Sequence, residues 1–290
     1  MLIKDLLKEK RVTVSCELFP PKQDAEIERA EEVVRETAKL KPDFISVTYG
    51  ASGGTSKNTV RLAEYITKCD VTALAHLTCV SSTRGEVDTL IRELSARGIK
   101  NVLALRGDIP ENALFPSPQH YTYASELVKE IRGRDGFCIG GACYPEGHVQ
   151  SVSQKEDIGH LKEKVEAGCD FLTTQMFFDN NVLYRFLYRI REAGISVPVL
   201  AGIMPVTNKK QITRIVRLSG TSLPPRFLNI LDRFGDDPLA MQQAGVAYAT
   251  EQIIDLVANG VNGIHIYTMN KPEIAAGIFN NLSHIIRAKG

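Results

Sequence analysis

Polar side chains that can do chemistry lie at the ends of short, β-rich runs in this sequence. The most informative are Glu17, Arg106, Asp108 and Gln175. A carboxyl group acts as a general acid or base when its surroundings adjust its pKa, and an amide can both donate and accept hydrogen bonds. These residue types predict an enzyme site with acid, amide and guanidinium groups, and they leave the substrate open.

Each of these residues also has a structural interpretation. Glu17 could simply pair with Arg106 or another base, and Asp108 could cap a turn, because Gly107 and Asp108 lie in turn-like sequence. His76 and His148 could be ordinary buried or loop histidines, and Tyr123 and Tyr144 could be packing residues. Cys79 could be a nucleophile, but the spacing implies no partner base for it.

Two reaction classes are disfavoured. A Schiff-base aldolase needs a lysine near the end of a strand, and Lys271 is the one plausible lysine there. A metal site needs clustered ligands, whereas the six histidines are scattered and no strand carries an HxH pair, so we expect no metal. The six cysteines form no CxxC pair and are interpreted as reduced core residues.

The elements that must position these groups alternate regularly between strand and helix. Eight β-rich runs are each followed by an amphipathic stretch with apolar residues three and four apart. The runs begin at Val12, Phe44, Thr72, Asn101, Cys138, Phe171, Val197 and Gly263. Four helices end at a glycine just before the next run. Glycine is typical of this position because the residue that ends a helix often adopts the left-handed backbone conformation. These glycines are Gly98, Gly168, Gly194 and Gly260.

Eight such units in 290 residues predict an α/β fold, a single (β/α)8 TIM barrel spanning residues 1–290. A doubly wound sheet is the alternative, but no GxGxxG follows any strand. Two long interruptions are expected, one at residues 108–120 and one at about 221–238 that carries a short helix. In such a barrel the active site lies at the carboxyl ends of the strands. Strand alternation then aims Glu17, Asp108 and Gln175 at one cavity, with Ala104 and Arg106 on the face of Asp108.

Composition excludes several other classes. The formal net charge is +1, from 35 basic and 34 acidic residues, so no global field favours nucleic acid or an anionic membrane. No apolar run approaches the roughly 20 residues that a membrane helix needs. The first residues also lack the apolar core of a signal peptide, and we expect a cytoplasmic protein.

The runs also carry motifs that resemble those of bacterial methylenetetrahydrofolate reductases. They occur in order from the first strand to the eighth and cover nearly the whole chain. The motifs are CELFPPK (16–22), SVTYGA (46–51), AHLTC (75–79), LALRGD (103–108), YAS (123–125), YPEGH (144–148), TQMFFD (174–179), GIMPVTN (202–208) and HIYTMN (265–270). Each is weak alone, and their joint order and spacing make the resemblance specific.

The resemblance implies a barrel that binds FAD without a Rossmann motif and transfers hydride in two stages. NADH or NADPH reduces the flavin and leaves, and methylenetetrahydrofolate then receives the hydride to give 5-methyltetrahydrofolate, in one-carbon and methionine metabolism. Opening the folate ring needs a general acid at N10. By resemblance Glu17 is that acid, and Asp108 contacts the pterin and biases the flavin electrostatically. Gln175 would bind the pterin, and Gln211 and Lys271 the folate or its glutamate tail.

The flavin contacts that the resemblance implies come from several strand ends and two helices. They are Thr48, Tyr49, Ala51, His76, Arg106, Gly107, Tyr123, Ala124, Tyr144, His148, Asp157, His160 and Lys164. Thr48 could contact the nicotinamide instead.

Some positions depart from the bacterial pattern. Ile215 replaces an aromatic residue, Lys271 an arginine, Glu163 a basic residue and His160 an asparagine, which affects nicotinamide binding and the hold on the flavin diphosphate. The sequence shows no arginine-rich pocket for a 2′-phosphate, so we expect NADH to be preferred. The family suggests a homo-oligomer. Because the sequence ends directly after the eighth helix, we expect it to lack the C-terminal regulatory domain of eukaryotic relatives. The alternative is a flavin-carrying subunit of a multi-protein reductase that needs a partner for electron input.

Overall fold

Eight parallel strands pair in sequence order and close into a barrel, β1 with β8. The computed structural model describes residues 1–9, 12–49, 56–109, 116–134 and 136–286. The strands are β1 (Thr13–Leu18), β2 (Phe44–Val47), β3 (Thr72–Thr78), β4 (Asn101–Leu105), β5 (Cys138–Cys143), β6 (Phe171–Thr174), β7 (Val199–Ile203) and β8 (Gly263–Tyr267). This confirms the predicted (β/α)8 barrel.

Helices surround the barrel and connect successive strands. They are α1 (Ile3–Glu9), α2 (Ile27–Lys39), α3 (Ser56–Lys68), α4 (Arg84–Ala96), α5 (Ala124–Arg132), α6 (Gln154–Glu166), α7 (Asn180–Glu192), α8 (Lys209–Ser219), α9 (Pro225–Phe234), α10 (Pro238–Ala258) and α11 (Pro272–Asn281). Helix α9 is the short helix expected between residues 221 and 238. No helix in the described part of the chain is both long and apolar enough to cross a membrane.

The strands bury side chains on both faces. Outward residues such as Val14 and Ile45 pack against the helices in one large apolar cluster. An inward layer is formed by Phe44, Leu74, Leu103, Cys138, Phe171 and Leu200 at the amino-terminal end of the strands, and α1 covers it with Ile3 and Leu6. Burying each of those two side chains contributes roughly 1.5–3 kcal/mol. Sequence reasoning assigned no element to α1.

One expectation about side-chain direction is wrong. Ala104 lies in the outer cluster, whereas Leu103 points into the barrel and Leu105 packs beside it. The face shared by Ala104, Arg106 and Asp108 is therefore the outer face of β4, and Arg106 and Asp108 reach the mouth only because they follow the strand end. The strand is apolar on both faces, as buried parallel strands are, so alternation carried no signal there.

The glycine joints take the predicted conformation. Gly98, Gly168, Gly194 and Gly260 all have positive φ, between 75° and 125°. In the joints before β2 and β3, Lys41 and Asp70 adopt the same left-handed conformation, with φ of 57° and 59°. These tight joints send each helix back to the amino-terminal end of the next strand, which leaves the opposite end free for the longer loops.

Candidate active site

Glu17 lies at the carboxyl end of β1, between Ser46 of β2 and Tyr267 of β8 in the sheet register. Its side chain is nearly buried, with the residue 8% exposed. The hydroxyl of Thr268 donates a 2.6 Å hydrogen bond to its backbone carbonyl. Among the described residues, no lysine or arginine forms an ion pair with the carboxylate. The basic side chains within 4 Å of it are both histidines. Glu17 therefore forms no ion pair with Arg106, and the bases beside it are the two histidines.

Two imidazoles approach the same carboxyl oxygen of Glu17. Oε2 lies 3.6 Å from Nε2 of His76 on β3 and 3.5 Å from Nε2 of His265 on β8. Both nitrogens are buried and have no hydrogen-bond partner in the described structure. Burial lowers the pKa of His76 to about 4, against the opposing effect of the Glu17 charge. His76 is therefore neutral at neutral pH.

A short hydrogen-bonded chain lies behind His265. Its Nδ1 is 2.7 Å from Oγ of Ser15, and that hydroxyl is also 3.1 Å from the carbonyl oxygen of Ile264. The edge of the Tyr267 ring meets His265 at 5.3 Å between centroids, and burial raises the pKa of Tyr267 well above its ordinary value. Sequence reasoning missed His265 and Ser15, although alternation already placed Ser15 on the face of Glu17.

A second cluster lies on the β4–β5 side of the mouth. The rings of Tyr144 and His148 meet edge to face at 4.6 Å. Burial, and then the positive charge of Arg106, lower the pKa of His148. Burial raises the pKa of Tyr144 to about 12 and also raises that of Asp157, which accepts a hydrogen bond from Ser151. The cluster therefore places a guanidinium beside two aromatic rings and a poorly solvated carboxyl group.

Lys164 is placed differently from the rest of this cluster. Its Nζ donates a hydrogen bond to the carbonyl oxygen of Ala142, and a Cβ built on outward-facing Gly141 would lie 3.3 Å from its Cε. The side chain thus occupies the layer between α6 and β5, and burial lowers its pKa. On the same helix, Glu163 and His160 are exposed.

Three strand residues at the carboxyl end of the barrel are partly exposed. The strands are almost wholly buried, but Leu105, Ala142 and Tyr267, at or near the carboxyl ends of their strands, stay partly exposed. Just beyond β4, Gly107 has a φ of 82°, and a Cβ there would lie 2.9 Å from Cβ of Thr78. A side chain at position 107 would therefore push the strand-end turn away from β3.

Other predicted flavin contacts follow β2 or lie at the start of α5. Thr48 and Tyr49 follow β2 and are half-buried, and the hydroxyl groups of Tyr49 and Ser82 are 2.8 Å apart. Tyr123 is exposed and precedes Ala124, the first residue of α5, whose amino end has no side-chain cap. Ala51 lies outside the described residues.

The predicted substrate residues are spread around the same end of the barrel. Asp108 is exposed and acts electrostatically on Tyr144, so the structure groups it with the second cluster and gives it no contact with Glu17. Gln175 follows β6, and its side-chain oxygen accepts a 3.0 Å hydrogen bond from Met176 N–H. The convergence of Glu17, Asp108 and Gln175 on one cavity stays a prediction.

The last two predicted substrate residues lie beyond β7 and β8. Gln211 stands in the first turn of α8, half-buried, on the helix that Asn208 caps. Lys271 donates a 3.0 Å hydrogen bond to the hydroxyl of Thr207. Ile215, at the position where we expected an aromatic residue, packs partly buried against the apolar cluster that includes Phe227.

Cysteine and metal chemistry find little support in the described residues. All six cysteines are free, and burial raises the pKa of Cys79 to about 12, so its thiol stays protonated. No group of three potential ligands from the described part of the chain is arranged to hold a metal ion.

A separate cleft of about 530 Å³ lies between α7 and the loop after α8. Arg185, Arg189 and Phe178 contribute to its wall, and none of the predicted site residues lines it. At its edge both carboxyl oxygens of Glu146 accept the backbone N–H of Ser222, at 3.0 and 3.1 Å. This bond joins the loop after β5 to the loop after α8.

Comparison with known proteins gives a consistent result. The family model described as "Methylenetetrahydrofolate reductase" matches residues 2–283. The chain is 34% identical over 273 residues to 5,10-methylenetetrahydrofolate reductase of Escherichia coli (strain K12), covering 94% of this chain and 91% of that protein. It is 32% identical over 302 residues to methylenetetrahydrofolate reductase (NADH) 1 of Arabidopsis thaliana, covering 99% of this chain and 51% of that protein. The chain thus spans about half the length of the plant and yeast relatives it matches.

Solved structures show the same fold at low sequence identity. A Clostridium thermocellum protein described as binding two copies of 5-methyl-5,6,7,8-tetrahydrofolic acid superposes with a TM-score of 0.69 at 16% identity, over 98% of this chain and 100% of that one. Dihydropteroate synthase from Xanthomonas albilineans, in complex with 7,8-dihydropteroate, gives a TM-score of 0.54 at 14% identity, over 97% of this chain and 94% of that one.

Proposed function

The chain belongs to the methylenetetrahydrofolate reductase family, and we propose that it reduces 5,10-methylenetetrahydrofolate to 5-methyltetrahydrofolate with hydride from NADH or NADPH by way of bound FAD. The observation that carries the proposal is the nearly buried carboxyl group of Glu17 at the barrel mouth, which contacts two imidazoles and no cation. The product would supply methyl groups for one-carbon and methionine metabolism.

Partly exposed residues at the strand ends and an unpartnered imidazole nitrogen support a flavin site. When bound, FAD supplies a hydride acceptor for the nicotinamide and a hydride donor for the one-carbon unit. The aliphatic and small side chains of Leu105 and Ala142 offer a floor for a flat ring. His76 presents a buried nitrogen without a hydrogen-bond partner. For the diphosphate, we assign Arg106 and the uncapped amino end of α5 at Ala124, because free N–H groups at a helix start favour anions.

Glu17 supplies the proton that the folate step requires. The five-membered ring of methylenetetrahydrofolate opens when N10 is protonated, which leaves a cationic iminium that can accept hydride. The overall reaction consumes one folate, one reduced nicotinamide and one proton, and the proton enters through Glu17. A donor in a poorly solvated site is effective because few water molecules compete for the proton.

Asp108 and Gln175 orient the substrate in this proposal. The exposed carboxylate of Asp108 places negative charge at the rim, where it would favour the cationic iminium by a through-space interaction. Gln175 has an amide NH2 free to donate to the pterin, because the hydrogen bond from Met176 uses only its oxygen. Gln211 and Lys271 would hold the outer part of the folate.

Flavin content and two half-reactions test this function. Purified protein should be yellow, should release FAD on denaturation, and should bleach when mixed anaerobically with NADH. A folded, colourless protein that does not take up added FAD would contradict the proposal. Bound flavin that NADH leaves oxidised, but that a chemical reductant bleaches, would instead favour the partner-dependent subunit.

A further inference from the structure

One side chain links the loop after β5 to the carboxyl end of α8, and the proposed mechanism gives it no role. We propose that this residue, Glu146, is a positioning residue for folate binding, because it holds α8 in place through the backbone N–H of Ser222. The inference rests on the proposed function, in which Gln211 of α8 binds the outer part of the folate.

Helix α8 packs at the carboxyl ends of the strands. Ile212 is buried, and Ile215 is partly buried, in an apolar cluster that includes Met176 after β6 and Tyr267 at the end of β8. Gln211 and Ile215 are four positions apart, so they lie on the same face of the helix. The placement of α8 therefore decides where the predicted folate contact Gln211 stands relative to the strand ends.

The helix has little apolar packing of its own to fix that placement. Of its eleven residues, Ile212 is the one that is fully buried. Its amino end is fixed by Asn208, whose side chain accepts the N–H of Gln211 at 3.0 Å, and by the hydrogen bond from Lys271 to Thr207. A segment with few buried apolar contacts opens locally at low cost, so the opposite end of α8 also needs an anchor.

The carboxyl end of α8 is anchored on the loop after β5. Gly220 ends the helix with a φ of 69°, and a Cβ built there would lie 2.8 Å from Cγ1 of Val149. Two residues later, Ser222 donates its N–H to both carboxyl oxygens of Glu146, at 3.0 and 3.1 Å. In the described structure the carboxyl group of Glu146 has no other hydrogen-bond or ion-pair partner, so both of its oxygens serve this link.

The other contacts at this end are weaker than the link through Glu146. The hydroxyl of Thr221 donates to the carbonyl of Met176 across 3.4 Å, which is long for an O–H···O hydrogen bond. The approach of Gly220 to Val149 is a van der Waals contact. Hydrogen bonds that involve an ionisable acceptor are the stronger kind, and we therefore assign the anchoring of α8 to Glu146.

Glu146→Leu tests the assignment, because leucine is close in size to glutamate and cannot accept a hydrogen bond. If α8 is in place in about a tenth of the variant molecules, the apparent Kd for 5-methyltetrahydrofolate rises about tenfold. The KM for methylenetetrahydrofolate should rise equally, whereas kcat should stay within about twofold, because saturating folate returns α8 to its place. FAD content should match that of wild type. Titration of the FAD-bound enzyme and steady-state kinetics measure these quantities.

Three further variants separate the hydrogen bond from other effects of the substitution. Glu146→Gln keeps an acceptor oxygen and should retain the wild-type Kd within about twofold, whereas Glu146→Asp is one methylene too short and should behave as Glu146→Leu does. Ser222→Ala keeps the backbone N–H that makes the bond and should match wild type. An unchanged Kd in Glu146→Leu would overturn the inference. A parallel fall of FAD content, kcat and folate affinity would also overturn it, since that pattern indicates general damage to the fold.

Hydrogen exchange provides a measurement that does not depend on the reaction. In Glu146→Leu, the amides of residues 209–222 should exchange at least about tenfold faster than in wild type, and those of α7 should be unchanged. Equal exchange in the two proteins would overturn the inference even if the wild-type enzyme is active. A wild-type enzyme that does not reduce methylenetetrahydrofolate would instead overturn the proposed function, and the exchange result would still decide whether Glu146 holds α8.

Discussion

Replacing Glu17 by glutamine should separate the two half-reactions. Glutamine keeps the size of the side chain and its place beside His76 and His265, but it cannot act as an acid. Reduction of the flavin by NADH needs no proton from Glu17, so its rate should stay within about tenfold, or about 1.4 kcal/mol of barrier. The folate step should lose the roughly 10²–10⁴-fold that a general acid typically supplies.

The structure also predicts what this change does to folding. Glu17 forms no ion pair with a described lysine or arginine, so the amide leaves no buried cation without its partner. Breaking a buried ion pair would cost roughly 3–5 kcal/mol, and we expect Glu17→Gln to change the free energy of unfolding by less than about 1 kcal/mol, since the amide preserves the packing. FAD content should also be normal, because Glu17 is not assigned to flavin binding.

Anaerobic stopped-flow measurements at the flavin absorbance would follow each half-reaction separately, with urea denaturation run in parallel. The reasoning is refuted if the variant reduces methylenetetrahydrofolate at the wild-type rate. It is also refuted if both half-reactions and stability fall together, since that pattern indicates a structural role for the carboxylate.

Three further predictions concern stability and cofactor choice. The pKa of His76 is about 4 in the folded protein and about 6.5 in the unfolded chain. Between these values the unfolded state binds more protons than the folded state. The contribution of the neutral imidazole to the free energy of unfolding should therefore be complete above pH 6.5 and fall by about 2 kcal/mol between pH 7 and pH 5. Urea denaturation of His76→Gln should show a flatter dependence over that range, and an unchanged slope would contradict the assignment. Asn101→Ala should cost about 3 kcal/mol, because the buried amide bonds to Ile3 N–H and to the carbonyls of Ala73 and Met1; a loss below about 0.5 kcal/mol would show that α1 is not held this way. NADH should reduce the flavin faster than NADPH in stopped-flow mixing, a preference that faster reduction by NADPH would disprove.

The strand and helix pattern was predictable from sequence because it is local. Apolar periodicity and the glycine joints each depend on a few neighbouring residues, and the positive φ angles of Gly98, Gly168, Gly194 and Gly260 match the prediction. Helix α1 was not predicted, because its seven residues include four charged ones and it is held by tertiary contacts of Ile3 and Leu6.

The candidate site was predictable only in part. Residue type and strand position identified Glu17 at the mouth. The network behind it depends on closure of the barrel, which places Ser15 beside His265 although 250 positions separate them. No local pattern reports that register. The direction of Asp108 was equally inaccessible, because β4 is apolar on both faces from Val102 to Leu105 and Asp108 follows the strand end.

Reoxidation of the reduced flavin by methylenetetrahydrofolate tests the central claim most directly. Enzyme reduced with NADH and freed of nicotinamide would be mixed anaerobically with one equivalent of methylenetetrahydrofolate, and the products would be separated. We predict that flavin absorbance returns in full and that one 5-methyltetrahydrofolate forms for each flavin reoxidised. A flavin that stays reduced in the presence of excess methylenetetrahydrofolate, with no 5-methyltetrahydrofolate formed, would contradict the proposed function.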